Sequence, residues 1–137
     1  MTTDNKPVIF ISHVAANRQW AREMSKALRD RGALTSADWD IRAGEDVSKS
    51  LRKKITDCDG VVALIDRDDL RSPWVFFELG AAVSAGKRLF PVVSRELKRN
   101  ELPVVFKDFQ WYTKDEGAGR IAAQIVLGFD TAHKRIR

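Results

Sequence analysis

The sequence predicts an α/β fold, a doubly wound five-stranded parallel sheet, and three observations support this class. Short apolar runs alternate with amphipathic segments along the whole chain, as in repeated strand–helix–strand units. The clearest runs, Val8–Ser12 and Val61–Ile65, are almost continuously apolar, as expected for strands that helices cover on both faces. Right-handed crossovers through the amphipathic segments would place helices on both sides of one sheet.

The predicted strands are short, and the second is the weakest. In chain order they are Val8–Ser12, Ala33–Trp39, Val61–Ile65, Leu89–Ser94 and Phe109–Tyr112. Pro91 argues against a central position for the fourth strand, because proline cannot donate a ladder hydrogen bond.

The predicted helices lie between these strands. They are Asn17–Arg31, Val47–Cys58, Ser72–Ala85 and Gly119–Phe129. The first places Trp20, Met24, Ala27 and Leu28 on one face and stops at Gly32. The third begins with a serine that can cap it and a proline suited to the first helical position. The basic tail from His133 is expected to fray.

Length and composition predict one domain over residues 1–137, with a core at about 7–128 and a basic tail at 129–137. The formal charge is +5, from 24 Lys and Arg against 19 Asp and Glu, and acidic residues interleave with most basic ones. Nucleic acid is therefore disfavoured as a ligand. Cys58, His13 and His133 are too few for a disulfide framework or a structural zinc site, so no metal is expected.

Targeting signals are absent from the printed sequence. The longest apolar runs are about six residues, far below the roughly 20 that a membrane helix needs. The first ten residues lack the basic and apolar regions of a signal peptide. We therefore expect a soluble cytoplasmic protein with no membrane partner.

Common nucleotide and hydrolase motifs do not occur. Ser12-His13-Val14-Ala15 stands after the first strand, where a dinucleotide-binding dehydrogenase would have a glycine-rich turn. Gly80 to Lys87 has the wrong spacing for a phosphate loop, and no G-x-S-x-G elbow exists. In a doubly wound sheet ligands bind beyond the carboxyl ends of the strands. The segments that follow strands therefore matter most: Ser12–Ala16, Trp39–Asp46, Asp66–Ser72 and Ser94–Asn100.

The third predicted helix carries an isolated acid. Glu78 is the only charged residue between Ser72 and Gly86, and it shares a helix face with Trp74 and three alanines. A buried carboxylate without a partner is costly. One interpretation is a pocket in which Glu78 faces a developing positive charge. The other is a structural ion pair with Arg42 or Arg71, and the pattern alone leaves both open.

Four segments, taken together, resemble the bacterial type of TIR (Toll/interleukin-1 receptor) domain. They are the first strand VIFISHV, the loop Asp38–Glu45 with its Ile-x-x-Gly core, the passage from Leu51 through Cys58-Asp59 into VVALID, and Ser72-Pro73-Trp74 with Glu78-Leu79. Their order and spacing extend the resemblance from about Pro7 to Val126.

The resemblance implies a flavodoxin-like topology and an NAD⁺ glycohydrolase, which cleaves the nicotinamide–ribose bond and in some relatives cyclises the product. NAD⁺ would be the substrate and no cofactor would be needed. Glu78 would be the catalytic residue. The implied substrate-binding residues are Trp74, His13, Asp38, Trp39, Arg42 and Gly44. This chain departs from the family pattern in having Val14-Ala15-Ala16 after His13 and Ala37 before Asp38, so fewer polar groups would reach the nucleotide.

The resemblance also implies partners. Family sites are often completed by a neighbouring domain, so we expect activation by self-association in a bacterial signalling or defence system, with a sensor domain or partner outside this chain. One alternative is a non-catalytic module that binds other TIR domains through Asp40–Asp46. Another is a related nucleoside-processing enzyme, such as a 2-deoxyribosyltransferase.

Overall fold

A computed structural model describes residues 6–13, 17–37, 47–66, 80–94, 96–101 and 110–136. These residues form one sheet of five parallel strands, in the order β2-β1-β3-β4-β5. The strands are Val8–Ser12 (β1), Leu34–Ala37 (β2), Gly60–Ile65 (β3), Arg88–Val93 (β4) and Tyr112–Thr113 (β5). The predicted α/β class is therefore confirmed.

Helices flank this sheet. The described helices are Arg18–Asp30 (α1), Val47–Asp57 (α2), the helical residues 80–84 and Ala118–Ile136 (α3), with short 3-10 helices at Arg99–Glu101 and Lys114–Glu116. Within the described ranges, no helix has both the length and the apolar character needed to cross a membrane.

Both faces of the sheet are covered, because alternate residues of each strand point to opposite faces. Ile9 and Ile11 of β1 belong to a core cluster with buried residues of α1 and α3. Phe10, between them, belongs to a second cluster with buried residues of α2 and with Ala82. The nearly continuous apolar character of β1 and β3 follows from this double burial.

The first helix follows the predicted pattern. Met24, Ala27 and Leu28 are buried, and Trp20 packs against the same cluster. Gly32 has a φ of 92°, a backbone conformation that residues with a Cβ atom rarely adopt, and the helix ends just before it. The sequence signal for this helix and its stop is therefore confirmed.

Two details of the elements differ from what the sequence indicated. β4 lies between β3 and β5, although Pro91 argued against a central place. Proline is tolerated because β5 pairs with β4 only at Val92 and Val93, beyond Pro91. The last helix was predicted to end at Phe129, yet α3 continues to Ile136. The residues after Phe129 contain no proline or glycine to stop it.

Candidate functional site

The strand order places a switch point between β1 and β3. The chain leaves β1 toward β2 on one side and enters β3 on the other, so the connections diverge there. Ligands of doubly wound sheets bind at such a point, beyond the carboxyl ends of the strands. In this chain His13 follows β1, Asp66 follows β3 and Lys114 follows β5.

A turn after β5 fixes the start of Lys114–Glu116. The Glu116 carboxylate accepts a hydrogen bond from the backbone N–H of Thr113 at 2.7 Å and one from the Thr113 hydroxyl at 3.3 Å. Thr113 and Glu116 form a capping box, an arrangement that stabilises the first turn of a helix. Lys114, the residue after Thr113, is thereby held at the carboxyl end of the sheet.

Lys114 joins two other segments at this edge. Its Nζ donates a hydrogen bond to Oδ1 of Asp66 at 2.9 Å and another to Oδ1 of Asn17. We call Asn17, Asp66 and Lys114 the carboxyl-edge cluster. It connects the end of β3, the start of α1 and the turn after β5, which are far apart in sequence.

The ion pair in this cluster is more enclosed than the Lys26–Asp30 and Lys53–Asp57 pairs. The side chains of Lys114 and Asp66 are 21% and 32% exposed, whereas those of Lys26 and Asp30 are 73% and 56% exposed at the same 2.9 Å distance. Exposed pairs contribute little because water screens them. The Lys114–Asp66 pair therefore has a stronger mutual interaction, and it still faces solvent on one side.

Asn17 is the most buried member of the cluster, with 4% of its surface exposed. It occupies the N-cap position of α1, where an asparagine oxygen commonly accepts a backbone N–H, but its side chain makes no cap hydrogen bond. The oxygen accepts from Lys114 instead. In the described part of the chain, Nδ2 of Asn17 is buried without a hydrogen-bond acceptor.

His13 lies deeper than Asp66. The register pairs Ser12 with Ala63, so His13 is level with Leu64 and falls two residues short of Asp66. At about 3.3 Å per residue this is roughly 7 Å along the strand direction. His13 is accordingly 6% exposed. His13 therefore lies nearer to the middle of the sheet than Asp66 does.

The predicted site is only partly within the described residues. His13 is described and lies at the carboxyl end of β1, as predicted. The other predicted site residues lie outside the described ranges: Asp38, Trp39, Arg42, Gly44, Trp74 and Glu78. Arg71, the alternative ion-pair partner of Glu78, also lies outside them. The roles given to these residues stay predictions.

Sequence reasoning missed two members of the cluster. Asp66 opens a segment that the rule about strand ends had selected, but Asn17 was treated only as the start of a helix. Lys114 was missed because the rule was not applied to the fifth strand, which it follows directly. Among the described residues, no three His, Cys, Asp or Glu side chains are grouped to hold a metal ion.

Comparisons with known proteins agree with this architecture. A family model described as "TIR domain" matches residues 9–125. No curated protein shows a significant match to the chain.

Three solved structures show the same fold at low sequence identity. A metazoan TIR-STING receptor from C. gigas is 24% identical, with a TM-score of 0.70, over 84% of this chain and 38% of the receptor. The TIR domain heterodimer of RPS4 and RRS1 is 17% identical, with a TM-score of 0.66, over 92% of this chain and 97% of that one. The CMP N-glycosidase BcmB from Clostridium botulinum is 14% identical, with a TM-score of 0.61, over 86% and 97%. The chain spans less than half the length of the first of these.

Proposed function

Because the chain belongs to the TIR domain family, we propose that it is an NAD⁺ glycohydrolase in which Glu78 is the catalytic carboxylate. The observation that carries this proposal is the carboxyl-edge cluster. Asp66 lies beside the switch point, and Lys114 joins it to a buried amide. Such polar groups, at the edge where doubly wound sheets bind ligands, favour a ligand-binding role over a purely structural one.

The chemistry suits a single carboxylate. Nicotinamide leaves NAD⁺ as a neutral molecule, so its departure needs no proton from the protein. The ribose then carries an oxocarbenium-like positive charge, as in glycoside cleavage. Glu78 would stabilise that charge, and water would add to the anomeric carbon with release of one proton to solvent. Trp74 would pack against a ring of the substrate, with His13, Asp38, Trp39, Arg42 and Gly44 lining the cleft.

The decisive experiment is Glu78→Gln, assayed by chromatographic detection of nicotinamide after incubation with NAD⁺. Removing one preorganised electrostatic group of this kind lowers turnover by about 10²–10³-fold. Glu23→Gln is a matched control, because Glu23 is an exposed residue of α1 outside the cluster. Far-UV circular dichroism checks that both variants fold. Full activity of Glu78→Gln would contradict the assignment.

A second nucleotide reaction has one observation in its favour. The similar fold of BcmB belongs to a CMP N-glycosidase. Incubation with CMP, with detection of free cytosine, tests that reaction in parallel. Cytosine release without nicotinamide release would replace NAD⁺ by a pyrimidine nucleotide as the substrate.

Assembly is part of the proposal. The RPS4 and RRS1 domains form a heterodimer, and we propose that this chain self-associates to complete its site, under control of a sensor or partner outside it. Nicotinamide release per molecule should then rise with protein concentration. A chain that assembles in light scattering but releases neither nicotinamide nor cytosine would instead be a non-catalytic interaction module. We place this activity in the bacterial cytoplasm.

A further inference from the structure

We propose that Asn17 is an additional substrate-binding residue, whose amide Nδ2 donates a hydrogen bond to a sugar hydroxyl of the nucleotide, and that Lys114 is the positioning residue that orients this amide. This inference rests on the proposed function. It adds two residues that neither the sequence motifs nor the family resemblance assigned.

The orientation of the Asn17 amide follows from the chemistry of Lys114. A lysine ammonium has three donors and no acceptor, so only the amide oxygen of Asn17 can bond to it. The NH₂ group of Asn17 must therefore point away from Lys114. Asp66 binds the same ammonium from another side and holds it in place.

The position of Asn17 also indicates a function. An N-cap asparagine replaced by alanine costs a helix about 1 kcal/mol, so the cap bond is normally favourable. In α1 that bond is absent, and the side chain instead bonds to a lysine 97 positions away. A residue that makes a distant contact in place of its favourable local hydrogen bond is typical of functional sites.

The buried donor of Asn17 indicates what binds there. Leaving a buried N–H without an acceptor costs about 1–3 kcal/mol. Asn17 is 4% exposed, so bulk water does not serve as the acceptor. A ligand hydroxyl that displaces the groups now covering Nδ2 would supply the missing acceptor and remove this cost, and the gain would add to the binding affinity.

The charge of the cluster favours a hydroxyl over a phosphate. Lys114 is paired with Asp66, so the cluster has little net positive charge to offer a phosphate. The Asp66 carboxylate would repel an anionic group that approached Asn17. A sugar hydroxyl is uncharged and can accept the amide hydrogen. We therefore assign the ribose hydroxyls of NAD⁺ as the ligand groups.

The test is Asn17→Asp. Aspartate keeps an oxygen for Lys114, removes the NH₂ donor and adds a negative charge. Dissociation constants for NAD⁺ are measured by titration calorimetry in the Glu78→Gln background, which prevents turnover. We expect binding about tenfold weaker, the usual effect of one lost hydrogen bond. Asn100→Asp is the matched control, since it adds the same charge at an exposed residue of the 3-10 helix Arg99–Glu101.

Ligand analogues separate a lost hydrogen bond from repulsion by the new carboxylate, because salt does little to screen a charge at a residue that is 4% exposed. Among NAD⁺ analogues that each lack one ribose hydroxyl, one should bind the original protein and Asn17→Asp with equal affinity, because it lacks the hydroxyl that Asn17 contacts. If inorganic phosphate competes with NAD⁺ for the original protein but not for Asn17→Asp, the hydroxyl assignment is overturned.

Lys114→Met is the second variant, in case Asn17→Asp fails to fold. It releases the amide, so KM for NAD⁺ should rise severalfold while kcat stays near its original value. Lys26→Met, which removes an exposed ion pair of the same length, should leave KM unchanged. Unchanged NAD⁺ binding in both cluster variants overturns the inference but leaves the proposed function intact. Failure of the original protein to bind NAD⁺ overturns the proposed function itself.

Discussion

The two ends of the sheet are built differently. At the carboxyl end, the carboxyl-edge cluster combines a partly exposed ion pair with a buried amide that makes no helix-cap hydrogen bond. At the amino end, Arg88 stacks over the ring of Phe129 at 4.7 Å and donates to the carbonyl of Gly128 at 3.2 Å. We call Gly60, Arg88, Phe90 and Phe129 the amino-edge cluster.

The amino-edge cluster closes its end of the sheet by packing. The centroids of the Phe90 and Phe129 rings lie 5.9 Å apart, and both rings occupy the space that a Cβ at Gly60 would need. Backbone and carboxylate contacts link Val8 to Asp59 at 2.7 and 2.8 Å. This end therefore stabilises the fold by packing, whereas we propose that the polar end binds a ligand. Variants at the amino end should lower stability without changing substrate binding, whereas variants at the carboxyl end should weaken substrate binding at a smaller cost in stability.

Phe129→Ala should have the largest effect on stability. The substitution removes the contact with Phe90 and the ring beneath Arg88. Because Phe129 is only partly buried, we expect a loss of about 2–3 kcal/mol, below the range for fully buried phenylalanines. Urea unfolding measures it, and NAD⁺ binding below the transition should be unchanged. A weaker affinity for NAD⁺ would show that the two ends are coupled.

Gly60→Ala should be the next largest. A Cβ at this position would lie 3.0 Å from Cζ of Phe129 and 3.1 Å from Cε2 of Phe90, so both rings would have to move. Overpacking of this kind costs about 1–3 kcal/mol. Gly80→Ala is the control, because a Cβ there meets nothing within 4 Å. Equal unfolding free energies for the two variants would contradict the packing argument.

The same contrast explains what the sequence could predict. Apolar periodicity predicted β1, α1 and the buried faces of α2, because burial on a regular element leaves a local pattern. Asn17 and Lys114 left no such pattern, since their contact joins residues 97 positions apart and depends on the order of the strands. Pro91 was misread for a related reason: its place in β4 depends on where β5 begins to pair. The catalytic role of Glu78 stays a prediction from its motif.

Lys114→Met and Lys26→Met compare enclosed and exposed ion pairs by unfolding free energy. Lys26 lies on the solvent side of α1, and its loss should cost less than about 0.5 kcal/mol. Lys114→Met leaves the Asp66 carboxylate and the Asn17 oxygen without the ammonium, and we expect a loss of about 1 kcal/mol. Equal losses would mean that water screens both pairs alike.

The smallest effect should be a pH dependence that arises near the amino end. Burial raises the pKa of the Cys58 thiol; the nearby Lys87 ammonium lowers that pKa by a smaller amount, and the Asp59 carboxylate raises it by less still. A raised pKa means that the folded chain keeps the proton longer than the unfolded chain, whose thiol has a pKa of 9.0. Stability is therefore complete below pH 9 and is lost as the pH rises toward the folded pKa.

At pH 9.0 half of the unfolded thiols are ionised, so this group lowers the unfolding free energy by at most about 0.4 kcal/mol relative to pH 7.5. Burial also raises the pKa of Tyr112, but its ordinary value of 10.0 delays its contribution to higher pH. Urea titrations at both pH values should show this loss in the original chain and not in Cys58→Ala. The alanine variant also loses the S–H bond to the carbonyl of Ile55, so its stability should be lower at both pH values. An equal pH effect in both proteins would mean that groups other than Cys58 cause it.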